Sequence, residues 1–299
     1  TPRLSLLPFA PNMAFADFVH SPAIAGFLSE IFLVALGLQA TFWFLLWALL
    51  PLHVWVSDRY GAKVAFCFSN FATVAFAHLV AILLTLPALL KMRRGKIQKS
   101  KSVKLVRVLR DLPLVGLNFA FSLAVGSAAA IFTCKEEVKI DIQAGLPDSQ
   151  LLVAQAVFSI LVSEAIFYHL HRAFHETKYL YAKIHKIHHT WPAPVAIMAT
   201  YAHPLEHIFC NLATVFTGPV LCGAHPFVSL SYSLLFSVGA AVHHSGYWSD
   251  DLGIHDLHHE LFNVNYGNAH ILDYLYGTYR SQSLCRGVQL KEQTSDKAN

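Results

Sequence analysis

The stretch KIHKIHH, residues 183–189, places three histidines within five positions. The same spacing returns in HDLHH at 255–259, while HRAFH (171–175) and HPLEH (203–207) each hold two histidines four residues apart. Residues at positions i, i+3 and i+4 share one face of a helix. We therefore expect each cluster to present its imidazoles to one point, as a metal ion requires.

Histidines are concentrated in one part of the chain, since all but three of the 18 lie between His169 and His270. A lone histidine is more often a surface or hydrogen-bonded core residue than a ligand. Packed imidazoles without a metal, however, repel one another when protonated and lack partners when neutral. The set therefore predicts metal binding. The histidines at 171–175, 185–189 and 255–259 exceed the four ligands of a tetrahedral zinc site, so two metal ions fit their number better. Imidazole suits iron, copper and zinc alike.

Carboxylates near these clusters are few, which argues against the carboxylate-bridged di-iron site of a four-helix bundle. Glu164 lies seven residues before His171, on the same face of a predicted helix. We expect Glu164 to accept an imidazole N–H and orient that ring. The alternative is a charge at a helix end.

The composition is that of a membrane protein. The chain of 299 residues is 55% hydrophobic and only 13% charged, with a mean hydropathy of +0.46, whereas soluble domains carry about 25% charged residues. Four apolar segments are long enough to cross a bilayer as helices: 24–50, 64–90, 112–134 and 151–170. Two more, 205–222 and 227–242, either span the bilayer or re-enter it as a pair.

A basic run at 91–110 holds nine Lys and Arg residues before the first acid, Asp111. Because it lies between two apolar segments, a cytoplasmic loop explains it better than nucleic-acid binding. Counting spans from this loop places every histidine cluster on the cytoplasmic side. The five cysteines form no CxxC pair, so neither a thiolate metal site nor a disulfide framework is predicted. The first apolar run is too long for a cleavable signal peptide.

Three regions follow from this pattern. Residues 1–150 are predicted to form an N-terminal transmembrane region that includes the basic loop. Residues 151–280 hold the histidine clusters, and 281–299 form a polar tail.

The clusters and their surroundings resemble the fatty acid hydroxylase superfamily of histidine-box membrane oxygenases. The resemblance rests on the following segments: EAIFYHLHRAFH (164–175), KIHKIHH (183–189), APVAIMATYAHPLEH (193–207), HSGY (244–247), HDLHHELFNVNYG (255–267) and LDYLYGT (272–278). Within that superfamily, WPAP, YAHPLEH and the KIQ at 96–98 look most like sterol C4-methyl oxidases and fatty acid hydroxylase domain-containing protein 2.

The resemblance implies an all-α integral membrane fold. About four transmembrane helices would lie under a cytoplasmic, histidine-rich cap that holds a dimetal site with two iron ions. It nominates nine ligands: His171, His175, His185, His188, His189, His244, His255, His258 and His259.

The chain departs from the superfamily at one position. Trp248 stands where hydroxylases with a full set have a further ligand, and an indole does not bind a metal. His243, Asp250 or Asp251 would compensate, or that coordination position is open to solvent. The residues expected beside the metals or facing the substrate are Glu164, His203, His207, His243, Trp248, Asn265 and Asp273.

The implied chemistry is the oxidation of a lipid C–H bond by O2, giving an alcohol or an alkene. No GxGxxG nucleotide fingerprint is present, so electrons would come from a partner, and the resemblance implies cytochrome b5 with its NADH-dependent reductase. The implied location is the endoplasmic reticulum membrane. A 4-methylsterol is the first-choice substrate, and the alternatives are hydroxylation of a fatty acid or sphingolipid and desaturation of a sterol. Alternatives of another class are a metal transporter and a catalytically silent regulatory relative, the latter favoured by Trp248.

Overall fold

The computed structural model describes residues 22–133, 148–247 and 254–280, and these ranges contain helices but no β-strand. Five helices are long: α1 Pro22–Tyr60, α2 Ala62–Leu89, α3 Leu105–Thr133, α4 Ser149–Glu176 and α8 Pro226–His243. The short α-helices are α5 Lys178–Lys183, α6 Pro204–Glu206, α7 Ala213–Leu221, α9 Ile254–Leu261 and α10 Ile271–Leu275. Two 3-10 helices, His185–Thr190 and Ala196–Thr200, and a π-helix, His207–Leu212, complete the described elements.

Five helices in the described ranges are long and apolar enough to cross a membrane. They are Leu36–Tyr60, Ala62–Leu89, Leu105–Phe132, Ser149–Glu176 and Pro226–His243. The first four overlap the predicted spans 24–50, 64–90, 112–134 and 151–170, the first with a shift of about ten residues. The fifth covers the stretch 227–242, and its 18 residues give a length of about 27 Å at 1.5 Å per residue. The stretch 205–222 is divided among α6, the π-helix and α7.

The distribution of side chains agrees with a bilayer environment. Trp47, Val106 and Phe132 are 78–79% exposed on the outside of the helices. Asn70 and Asn118, in contrast, are completely buried between helices. Polar groups inside and large apolar groups outside are expected where the surroundings are lipid.

The long helices pack around a shared apolar core. It includes Leu38 and Phe42 of α1, Phe66 of α2, Ile160 of α4 and Phe227 of α8, all at most 2% exposed. Because lipid is as apolar as these side chains, close packing rather than escape from water holds the helices together. The core thereby sets the direction of α4, which carries the first histidines.

A glycine allows α7 to touch α4. A Cβ atom at Gly218 would lie 2.6 Å from the Cα of Ser159, which is closer than real Cβ contacts. Only glycine permits this approach of two backbones. The contact holds the segment after the HPLEH cluster against the helix that bears the first cluster.

The histidine clusters lie on different kinds of helix. The fourth span continues without a break to Glu176, so HRAFH occupies its last turns. KIHKIHH has α-helical spacing, but the structure places His185–Thr190 in a 3-10 helix. Its six residues lie between Ile184, which ends α5, and Pro192, and this length suits one or two tighter turns better than an α-helix.

Candidate metal centre

Two groups of histidines converge where the end of α4 meets the short helices that follow it, a region that we call the cap. The first histidine group is His171, His175, His185, His189 and His258, and the second histidine group is His188, His244, His255 and His259. Within each group the candidate ligand atoms all lie within 4.8 Å of one another. These nine residues are the nine that the resemblance nominated as ligands.

The distribution between the groups corrects the expectation that each cluster serves one point. KIHKIHH sends its i, i+4 pair, His185 and His189, to the first group and His188 to the second. HDLHH at 255–259 does the reverse, since its i+3 residue, His258, joins the first group. In the α-helix α9 the i+3 side chain is rotated about 60° from i, whereas i+4 is rotated about 40° to the other side. Each cluster therefore lies between the two groups and contributes to both.

The imidazole Nε2 atoms face one another at short distances. In the first group the Nε2 atoms of His175 and His185 are 2.8 Å apart, and those of His185 and His189 are 2.9 Å apart. In the second group the Nε2 atoms of His244 and His255 are 2.9 Å apart. Two nitrogens each about 2.1 Å from one metal ion are separated by about 3.0–3.4 Å at bond angles of about 90–109°. These three distances lie 0.1–0.2 Å below that range, and the Nε2 atoms of His188 and His244, at 3.2 Å, and of His255 and His259, at 3.1 Å, lie within it, so the spacing is close to that of ligands on one metal ion.

Hydrogen bonds on the opposite side of the rings explain why Nε2 is available. In the first group the Nδ1–H of His171 donates to the carbonyl of Tyr266 at 2.7 Å, and that of His258 donates to Val264 at 2.7 Å. A carbonyl only accepts, so the proton is on Nδ1 and the lone pair is on Nε2.

In the second group, too, Nδ1–H groups donate to backbone carbonyls. The Nδ1–H of His188 donates to the carbonyl of Tyr201 at 3.1 Å, and that of His244 donates to Ala240 at 2.7 Å. Lone pairs that face each other at about 3 Å repel unless a cation lies between them. Both groups therefore fit a bound metal ion.

Burial keeps these rings neutral. It lowers the pKa of His185 to about 3, and it lowers the pKa of His258 to about 3 as well. Burial also lowers the pKa of His188, opposed by Glu206, and burial followed by the neighbouring histidines lowers the pKa values of His255 and His259. Only neutral imidazole binds a metal, so the site is prepared for ligation at neutral pH.

A carboxylate that the sequence analysis did not nominate forms a hydrogen bond with a histidine of the first group. Glu206 accepts the Nδ1–H of His185 at 2.8 Å, and both side chains are almost completely buried. Burial raises the pKa of Glu206 to about 7, opposed by His188 and His203. Since His185 is neutral, this contact is a hydrogen bond from an imidazole to an acid rather than an ion pair. The sequence signal is the position of Glu206 inside HPLEH, between two histidines.

Asp273 holds the loop that supports the first group. Its carboxylate accepts from the backbone N–H groups of Tyr266 at 2.8 Å and Gly267 at 2.7 Å, and from the Thr278 hydroxyl at 2.6 Å. Burial acts to raise the pKa of Asp273, but hydrogen bonds, led by that of His270, outweigh it and the net shift is downward. Because the Tyr266 carbonyl accepts from His171, Asp273 positions a candidate ligand through the backbone.

Contrary to the expectation from the sequence, the Glu164 carboxylate does not accept an imidazole N–H from any of the nine candidate ligands. It instead accepts backbone N–H groups of Asn268 at 3.0 Å, Ala269 at 2.8 Å and Leu272 at 2.9 Å. Gly267 lies against both acids, since a Cβ there would be 2.5 Å from Glu164 and 2.9 Å from Asp273. The pair thus clamps the loop 266–272.

The other nominated residues lie outside the two groups. The Nδ1 of His203 accepts from the backbone N–H of Leu205 at 3.2 Å and caps α6, and the Nε2 of His207 contacts the Ser122 hydroxyl at 2.9 Å. His243 ends α8 and belongs to neither group.

Asn265 was nominated for hydrogen bonding to the histidines or for packing. Its side chain bonds instead to the backbone of Ile254 and Arg280, and so it ties the start of α9 to the end of the described chain. Trp248, Asp250 and Asp251 lie outside the described residues.

The chain resembles known enzymes over its second half. Residues 156–278 match the fatty acid hydroxylase family. Fatty acid hydroxylase ahd1 of Mycosarcoma maydis is 39% identical over 139 residues, which cover 46% of this chain and 36% of the relative. Human fatty acid hydroxylase domain-containing protein 2 is 39% identical over 131 residues, covering 42% of this chain and 38% of the relative.

A third relative carries a sterol name. Methylsterol monooxygenase 2-2 of Arabidopsis thaliana is 31% identical over 148 residues, covering 44% of this chain and 55% of the relative. The chain thus spans between about a third and just over half of the length of these relatives. No solved structure matches it significantly.

Proposed function

We propose that the chain is a membrane-bound oxygenase that oxidises a lipid C–H bond with O2. The match of residues 156–278 to the fatty acid hydroxylase family supports this. The observation that carries the proposal is the presence of two adjacent groups of buried histidines with converging Nε2 atoms. Each group would hold one iron ion, with the nine histidines as ligands. Iron bound there supplies the activation of O2.

The chain's own residues hold and orient the ligands and exclude water. The Nδ1–H bonds to backbone carbonyls keep the Nε2 lone pairs directed inward. Three of the four ligands of the second group are buried, and His259 of this group and His258 of the first group are completely so. A dry site of this kind limits side reactions of a reactive oxidant.

A 4-methylsterol is the substrate we favour. The WPAP and YAHPLEH segments look like those of sterol C4-methyl oxidases, and one relative is named a methylsterol monooxygenase. Acyl-chain or sphingolipid hydroxylation, supported by the relative named a fatty acid hydroxylase, and sterol desaturation keep the same site and change the product. A lipid would enter sideways from the bilayer, between the apolar helices.

The surroundings of the enzyme are part of the proposal. The histidine cap would face the cytoplasm and the membrane would be that of the endoplasmic reticulum. Electrons would come from cytochrome b5 and its NADH-dependent reductase. The basic loop 91–110 supports the cytoplasmic orientation through the excess of Lys and Arg in cytoplasmic loops.

Two proposals of another class compete with this one. A metal transporter would bind metal without consuming O2 in the presence of lipid. A catalytically silent relative would retain the metals and lack turnover, and Trp248 is the residue that favours it. Iron-dependent O2 consumption separates both from an oxygenase.

The test is expression of the chain in a host that lacks its own sterol C4-methyl oxidase, with sterols profiled by mass spectrometry. We expect 4-methylsterols to disappear only with the unaltered chain. His188→Ala and His258→Ala, which each remove a ligand from a different group, should abolish the conversion. Persistence of 4-methylsterols despite good expression would refute the sterol substrate. Hydroxylated or desaturated acyl chains and ceramides in the same extracts would then identify the alternative, and turnover by both variants would refute the di-iron assignment.

A further inference from the structure

Gln98, in the basic loop between α2 and α3, contacts two segments of the cap. Gln98 donates through its Nε2 to the carbonyl of Pro192 at 2.7 Å and to the Oδ1 of Asp256 at 2.7 Å. Both partners accept only, so both N–H bonds of the amide are used. No apolar or acidic side chain of similar size can form this pair of bonds.

The Asp256 carboxylate depends on this contact. Asp256 is 1% exposed, and its Oδ2 has no hydrogen-bond partner among the described residues. Asp256 lies in α9 directly after His255 and two residues before His258. Gln98 therefore contacts the helix that carries three of the nine candidate ligands.

The backbone of the same loop is joined to another cap segment. The N–H of Ile97 donates to the carbonyl of Gly246 at 3.0 Å, and Lys96 forms an antiparallel bridge with Tyr247. The Tyr247 hydroxyl donates to the carbonyl of Met92 at 2.8 Å. This segment begins two residues after His244.

The segments held by the loop are those that carry the second histidine group. Pro192 follows the 3-10 helix of His188, Gly246 follows His244, and Asp256 shares α9 with His255 and His259.

Three ligands of the first group, His185, His189 and His258, lie on two of these segments, but the first group has further supports. The carbonyls of Tyr266 and Val264 orient His171 and His258, and Glu164 and Asp273 fix that loop. The first group thus has supports beyond the loop 92–98, whereas all four ligands of the second group lie on or beside the segments that this loop contacts.

We propose that Gln98 is a positioning residue for the second histidine group, and that the loop 92–98 holds the three segments that supply that group's four ligands. The proposal rests on metal binding by the two groups. It assigns to the region between two transmembrane helices a role in building one of the two metal sites.

The test uses the full chain, purified in detergent and freed of metal, and titrates it with Co2+. Cobalt binds nitrogen ligands more tightly than ferrous iron and its visible absorption reports its coordination. Gln98→Met keeps the length of the side chain and removes both donors. We expect it to weaken one of the two cobalt sites by about 10–100-fold, the usual effect of removing a group that orients ligands, and to weaken the other site less. Lys99→Gln, at the exposed neighbouring position, is the matched control and should bind like the unaltered chain.

Double variants show which of the two sites Gln98→Met weakens. In a His188→Ala background, where the second group is already damaged, Gln98→Met should add little loss. In a His258→Ala background it should remove most of the remaining binding, since coupled positions are non-additive and independent ones add. Equal loss in both backgrounds would overturn the proposal, as would tight binding of two cobalt ions by Gln98→Met.

A reciprocal exchange separates positioning from loss of folding. Gln98→Glu alone places two carboxylates side by side and should weaken the site further than Gln98→Met. Adding Asp256→Asn restores a donor and an acceptor across the contact, although not the bond to Pro192, and should recover part of the affinity. An exchange variant no better than Gln98→Glu would refute the contact as the cause. Absence of cobalt binding by the unaltered chain would instead refute the proposed metal sites.

Discussion

Replacing Glu206 with alanine removes the acceptor of the Nδ1–H group of His185. The two atoms are 2.8 Å apart and His185 is 1% exposed. The imidazole then loses the contact that fixes its orientation and its tautomer. The prediction concerns the first histidine group, to which His185 belongs.

The size of the effect follows from the burial of both partners. A hydrogen bond contributes about 0.5–1.5 kcal/mol to a neutral group and about 1.5–3 kcal/mol to a charged one, and a buried N–H left without a partner costs about 1–3 kcal/mol. A change of about 1.4–3 kcal/mol in the metal-bound state corresponds to about 10–100-fold in affinity. Glu206→Gln keeps a carbonyl oxygen as acceptor but removes the charge, so its effect should lie between that of Glu206→Ala and none.

The assay is metal titration of the purified chain, read as the affinity of each site. Glu176→Gln is the matched control, because Glu176 is more than half exposed and pairs with Arg172 at the end of the same α4 that carries His175. Exposed pairs contribute about 0–1 kcal/mol, so this variant should bind metal normally. Unchanged affinity of the first group in Glu206→Ala would refute the reasoning, and so would equal weakening by Glu176→Gln.

Three further outcomes are expected. Gly267→Ala should lower thermal stability by an amount equivalent to at least about 2 kcal/mol, because its Cβ would meet the Glu164 carboxylate at 2.5 Å; Gly116→Ala, with nothing within 4 Å, should be neutral or stabilising in the same melting experiment. The metal-free chain should lose stability as the pH falls below 6.5. The pKa values of His185 and His258 are lowered to about 3 in the folded state, so below pH 6.5 only the unfolded chain binds protons at these two side chains. The free energy of unfolding should then fall by about 1.4 kcal/mol per pH unit for each histidine. A melting temperature that is constant between pH 7 and 5 would contradict this. Removal of metal by a chelator should lower the melting temperature of the unaltered chain more than that of a His188→Ala, His258→Ala double variant, since ligands that bind only the folded state stabilise it.

The sequence by itself determined the helices and the composition of the site. Apolar runs of about 20 residues can satisfy their backbone in a bilayer only as helices, so four of the five long helices were predictable from composition. Clustered imidazoles have few explanations other than a metal. The family prediction is confirmed by the match of residues 156–278. The assignment of the nine histidines as ligands stays a prediction, as do the role of Trp248, the cytoplasmic orientation and the three-region division of the chain.

Only the tertiary structure decided how the histidines are divided. Helical spacing relates residues within one cluster, but whether His188 joins His185 or His244 depends on how α8 and α9 pack against the 3-10 helix. The spacing suggested one point per cluster, and this was wrong.

The supporting contacts were also beyond the sequence. Glu164 holds backbone N–H groups more than 100 residues away, and Gln98 reaches Asp256 over an even longer separation. A local pattern carries no information about such partners, because they are brought together by the packing of α4 and the cap. The residues that can bind metal are visible in the chain, whereas the residues that hold them in place are visible only in the fold.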